Sequence, residues 1–113
     1  DLFGMPCREG GIDGTAHCIG DKGYIFAFNP TGGVCYGSVP LTDTIGLTRG
    51  TRFAVDEIST QKPSRLGVYN RGDDMVFAIA PRTALLFEIR PSRDSVVRAQ
   101  IPPDVIVQPS FRP

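Results

Sequence analysis

The chain has no tryptophan, one histidine and only three cysteines among its 113 residues, and each scarcity removes a class of protein. An odd cysteine count permits at most one disulfide within the monomer, so Cys7, Cys18 and Cys35 do not make a disulfide scaffold. Their spacings of eleven and seventeen fit no common zinc pattern, and His17 and Cys18, adjacent on a strand, would point to opposite faces. Buried or half-buried free thiols are the expectation. With a single histidine and no Gly-x-Ser-x-Gly elbow, no Ser/His/Asp or Cys/His constellation assembles, and His17 reads as a structural residue at a sheet edge. An excess of either charge is also missing. Twelve basic and twelve acidic residues cancel, leaving no field to concentrate nucleic acid or anionic lipid. No apolar run approaches the ~20 residues that span a bilayer. Asp1 follows neither an initiator Met nor a basic leader, so we expect a piece of a larger exported protein, extracellular or periplasmic.

What the chain does have is punctuation. Gly 13 and Pro 10 together make about a fifth of the residues, a composition that favours short elements joined by tight turns. At this length one domain is expected. Residues 1–14 read as an extended lead-in, 15–91 as the folded core, and 92–113 as a proline-rich tail that either trails or adds an edge strand. Within the core, seven short apolar segments follow one another: Thr15 to Ile19, Tyr24 to Phe28, Val34 to Leu41, Arg52 to Ile58, Leu66 to Tyr69, Met75 to Ile79 and Ala84 to Ile89. Their spacing of about ten residues predicts an all-β, antiparallel sandwich of seven to eight strands with Greek-key or jelly-roll-like connections.

Turn chemistry and alternation refine this picture. Gly20-Asp21-Lys22-Gly23 supplies glycines for a hairpin, and Ala80-Pro81-Arg82-Thr83 is short enough to make its flanking strands antiparallel neighbours. In Tyr24-Ile25-Phe26-Ala27-Phe28 both faces are apolar, which predicts a strand buried on both sides and a loss of about 3 to 5 kcal/mol on truncating Phe26 or Phe28 to Ala. Met75, Phe77 and Ile79 share one face, as do Leu85, Phe87 and Ile89, giving walls with one wetter side. Between Leu41 and Gly50 the sequence permits one helical turn and no more, with Ile45 and Leu47 tucked inward.

The run Gly23 to Pro30, ending in Phe28-Asn29-Pro30, resembles a strand-and-turn signature of the C-terminal β-sandwich domains appended to glycoside hydrolase barrels. Ser38-Val39-Pro40-Leu41, Ile45-Gly46-Leu47, Phe53, Asp56-Glu57-Ile58 and the closing Ala80 to Ile89 are similar to later strands of such domains, so the likeness covers about Gly14 to Pro91. The resemblance implies a supporting module beside a catalytic barrel, sometimes one that binds carbohydrate, and no catalytic residue in this chain. The absence of Trp departs from the usual sugar-binding pattern, since its ring is the largest platform for a pyranose.

Candidate chemistry is correspondingly sparse. Glycoside hydrolysis needs two carboxyl groups about 5 to 9.5 Å apart across a bond. The only adjacent acidic pairs, Asp56-Glu57 and Asp73-Asp74, diverge on a strand or sit in a solvated turn. No enzymatic activity is expected. Asn70, Asp73 and Asp74 offer oxygens for a structural calcium, although hairpin turns use the same residues for backbone bonding, and no other cofactor is expected. Arg71-Gly72-Asp73 reads as a turn. Tyr36 and Tyr69 have small or polar neighbours and are the stacking candidates. With Asn70, Asp73 and Asp74 they form the expected ligand-binding set for an oligo- or polysaccharide. The partners expected are therefore carbohydrate and the catalytic domain of a parent chain. A protein-interaction sandwich of immunoglobulin or fibronectin type is the alternative.

Overall fold

The computed structural model describes residues 11–98, 101–102, 105 and 107–109. Most of the expected lead-in, Cys7 included, lies outside the described residues. Among those described, the elements are β1 (Asp13–Ile19), β2 (Lys22–Asn29), β3 (Cys35–Pro40), a 3-10 turn (Asp43–Ile45), β4 (Arg52–Glu57), β5 (Ser64–Asn70), β6 (Asp74–Ile79), β7 (Thr83–Pro91) and β8 (Val107–Pro109). All seven apolar segments of the sequence become strands. The 3-10 turn is the only helical element among the described residues, and Ile45 and Leu47 beside it are buried.

The strands form two sheets, a five-stranded one in the order β1-β2-β7-β4-β5 and a three-stranded one in the order β6-β3-β8. Every pairing among the first seven strands is antiparallel, whereas β8 runs parallel to β3, Tyr36 opposite Val107. A further expectation is corrected. The short link at Ala80 to Thr83 does not make a hairpin: β6 pairs with β3 in the small sheet, and β7 pairs with β2 and β4 in the large one. Arg82, at φ 52°, helps turn the chain from one sheet to the other.

The sheets face each other across an apolar core. Phe53, Val55, Phe87, Ile89 and Ile25 come from the large sheet, Val39, Met75, Phe77 and Ile79 from the small one, and Leu41 and Leu47 from the connection between β3 and β4. The rings of Phe77 and Phe87 meet across the gap with centroids 5.0 Å apart and planes tilted by 52°, within the favourable range for aromatic pairs. Asn29 is the one buried polar residue among those described, and its amide ties the β2–β3 loop to the end of β6, donating to Gly33 O at 2.8 Å and Ile79 O at 2.9 Å.

The expectation that β2 is buried on both faces fails. Ile25 and Ala27 point into the core, while Tyr24 is 47% and Phe26 44% exposed and Phe28 is half-buried. The cause is the hairpin register. The two-residue turn Gly20-Asp21, with its positive φ confined to Gly20, places Asp13, Thr15 and His17 opposite Phe28, Phe26 and Tyr24. Directly paired residues share a face, so the aromatic face of β2 is also the polar face of β1 and looks outward.

The thiols also divide. Cys35 is disulfide-bonded, which corrects the free-thiol reading for that residue. Cys18 is free and half-buried on the inner face of β1. Burial pushes its thiol up to about 11, only partly opposed by a backbone hydrogen bond from Tyr24. At the far side of the large sheet, the free edge of β5 is taken by Val97. Val68 N–H donates to Val97 O at 2.8 Å, and Val97 N–H returns a bond to Val68 O at 3.0 Å.

Candidate functional site

The five residues expected to meet a sugar do not converge. Tyr69 points inward from β5 and is 1% exposed, so its ring offers no stacking surface and that expectation is corrected. Tyr36 is half-buried on the outward face of β3, between Ala78 and Val107. Asn70 and Asp74 are exposed at the ends of β5 and β6. Because Tyr36 pairs with Ala78 while Asp74 pairs with Pro40, four residues of strand, about 13 Å, separate Tyr36 from that loop.

Within the loop Asn70 and Asp73 already have partners. Asp73 takes the Asn70 N–H at 2.9 Å and an Arg98 guanidinium hydrogen at 2.6 Å, and the Asn70 side-chain oxygen accepts from Arg52 Nε at 3.4 Å. This is the backbone-closing use of turn residues. Among the described residues no three His, Cys, Asp or Glu side chains stand together in a way that holds a metal. Arg71 is spent on structure as well. It donates to the carbonyls of Gly50 (2.7 Å), Leu47 (2.8 Å) and Arg49 (2.7 Å) and lies 5.6 Å over the Phe53 ring.

The surface with binding character is elsewhere, on the outer face of the large sheet. Tyr24, Phe26 and Phe28 project from alternate positions of β2, a line of rings about 13 Å long at strand rise. Register sets their neighbours. Ala84, Leu86 and Glu88 of β7 lie on one side, and Asp13, Thr15 and His17 of β1 on the other. The β1 border is thus polar along its length, while the β7 border is apolar beside Phe26 and Phe28 and charged beside Tyr24. There the Tyr24 hydroxyl donates to Glu88 at 3.4 Å, Glu88 pairs with Arg90 at 3.5 Å, and Arg90 pairs with Asp56 at 2.7 Å. Asp56 also accepts from Arg65, and this side-chain bond raises the Arg65 guanidinium further above its ordinary value. Beside Tyr24 opens a depression of about 680 Å³, whose walls include His17, Lys22, Arg49, Glu88 and Arg90.

Alternation along β2 alone puts these aromatics in the core, because Ile25 and Ala27 make the opposite face apolar too. The signal that separates the faces is the hairpin register, which pairs each ring with a polar residue of β1. Exposed aromatic rings bordered by hydrogen-bonding side chains can cover an apolar ligand face while bonding its hydroxyls. Comparisons with protein-family models, curated proteins and solved structures find no match to this chain.

Proposed function

We propose that this domain is a non-catalytic accessory module of an exported glycoside hydrolase, and that it binds glycan weakly on the outer face of its large sheet. The observation that carries the reading is the exposed pair Tyr24 and Phe26, at 47% and 44% accessibility, on a strand lined by the carboxylate and guanidinium groups of Glu88 and Arg90. An isolated sheet face gains nothing from exposing two large rings to water, whereas a pyranose stacked on them removes that surface. Relative to the expected set, the platform moves from Tyr69 to β2. Tyr36 remains a secondary candidate on the small sheet. The disulfide at Cys35 supports an oxidising, exported setting.

The finer topology belongs to the same reading. From β2 onward the strands visit the large and small sheets in the order large, small, large, large, small, large, small. This succession supports a jelly-roll-like winding, with β1 on the large sheet and β8 parallel to β3 as its departures.

Shallow stacking on one or two small rings leaves little after association costs, so affinities of roughly 0.1 to 1 mM are expected. Affinity electrophoresis over a glycan panel, followed by isothermal titration with soluble oligosaccharides, is the test. Tyr24→Ala and Phe26→Ala should each abolish detectable binding, whereas Tyr36→Ala should lower it slightly at most. If no glycan binds at millimolar concentration, the face is instead a packing surface for a catalytic domain.

A further inference from the structure

Resting on the reading of this face as a glycan site, we propose that the depression beside Tyr24 selects an anionic sugar, with Lys22 and Arg49 contacting its carboxylate or sulfate. The charged groups around the depression fall into two sets. Glu88 and Arg90 are committed to each other, and Arg90 also to Asp56, at 3.5 and 2.7 Å. Lys22 and Arg49 are exposed, and among the described residues neither forms an ion pair, although Asp21 stands in the adjoining turn. Two uncommitted cations therefore border an exposed aromatic ring.

Arg49 is placed there by construction. Its N–H donates to Gly20 O at 3.1 Å and its carbonyl accepts from Arg71, which anchors the loop against the β1–β2 turn. Its guanidinium lies over Gly20 so closely that a Cβ at that position would come within 2.6 Å of it. The missing side chain at Gly20 is what leaves this space. A guanidinium fork matches the two oxygens of a carboxylate or the oxygens of a sulfate, and an ammonium adds a point charge without geometric demand. The net charge of the chain is zero, so attraction to an anion here comes from these side chains and not from a general field.

The test is titration of the full chain with three oligosaccharides of similar length: a neutral glucan, an oligogalacturonate and a sulfated heparin fragment. The expected result is that an acidic ligand binds roughly tenfold more tightly than the neutral one. The Lys22→Gln/Arg49→Gln double variant should erase that difference and leave neutral binding intact. A preference for the uronate assigns carboxylate as the ligand group, and a preference for the heparin fragment assigns sulfate. Equal affinity for neutral and acidic ligands, or an acidic preference that survives the double variant, overturns the proposal while the glycan reading stands. Tight binding of polyglutamate by the same residues also overturns it, because the sugar would then be irrelevant. If none of the three binds, the underlying glycan reading falls too.

Discussion

The carboxamide of Asn29 is closed off from water and hydrogen-bonded through both its nitrogen and its oxygen. Its nitrogen faces the carbonyls of Gly33, Ile79 and Ala80 at 2.8 to 3.1 Å, and its oxygen accepts from the N–H and hydroxyl of Thr31 at 2.9 and 2.7 Å. Asn29→Ala removes these bonds in a buried site and should cost about 2 to 4 kcal/mol. Asn29→Asp should cost more, because a carboxylate has no hydrogen to give three carbonyls. Urea melts of the two variants give the order directly. The same measurement separates outward from inward aromatics: Phe26→Ala should cost less than about 1 kcal/mol, and Phe87→Ala about 3 to 5. Cys18 adds a pH dependence. Its folded value of about 11 exceeds the ordinary 9.0, so the folded state holds the proton more tightly than the unfolded chain. That contribution to stability is fully present below pH 9 and is lost as pH rises from 9 to 11. Melts at pH 8 and pH 11 should show a larger drop for the parent chain than for Cys18→Ala, which removes the titrating group.

At the scale of the element, the β1–β2 hairpin decides which residues the outside world meets. Gly23 pairs with Cys18, and a Cβ there would lie 2.4 Å from His17 O and 2.5 Å from Cys18 Cα. Backbone atoms cannot swing away as a flexible side chain does, so Gly23→Ala should destabilise by about 2 kcal/mol or more and loosen the hairpin. A melt paired with amide exchange at Thr15 and His17 would show both effects. The existence and approximate limits of this hairpin were legible in Gly20-Asp21 and the flanking apolar segments. So was the inward set of β6, Met75, Phe77 and Ile79, because Val76 and Ala78 between them are smaller. The outward set of β2 was hidden. Alternation within one strand cannot tell which of two apolar faces is wet, and only the paired polar residues of β1 break the tie. The inward position of Tyr69 is hidden for a related reason. Its neighbour Asn70 is exposed, but Tyr69 shares a pairing with Phe53 and therefore the core face.

For the whole molecule, the connections matter more than the strands. The chain passes between the sheets on leaving β2, β3, β5, β6 and β7, and no local turn signal distinguishes such a passage from a hairpin. Ala80 to Thr83 is a case where a four-residue link suggests pairing and delivers separation. Few native contacts of this kind form between near neighbours in sequence, so refolding should fall in the millisecond-to-second range, measurable by stopped-flow fluorescence of the tyrosines. Reduction of the Cys35 disulfide should lower stability by about 2 to 4 kcal/mol, read as a shift in melting temperature with and without dithiothreitol. The reciprocal bonds between Val68 and Val97 have a different kind of consequence. A row of unpaired amides at a sheet border is a template on which a second copy of the chain can build, and Val97 occupies part of that border in β5. Val97→Pro removes the N–H that returns the bond to Val68 and should make the chain self-associate more strongly than the parent as its concentration rises, a change that light scattering would register before any loss of strand content.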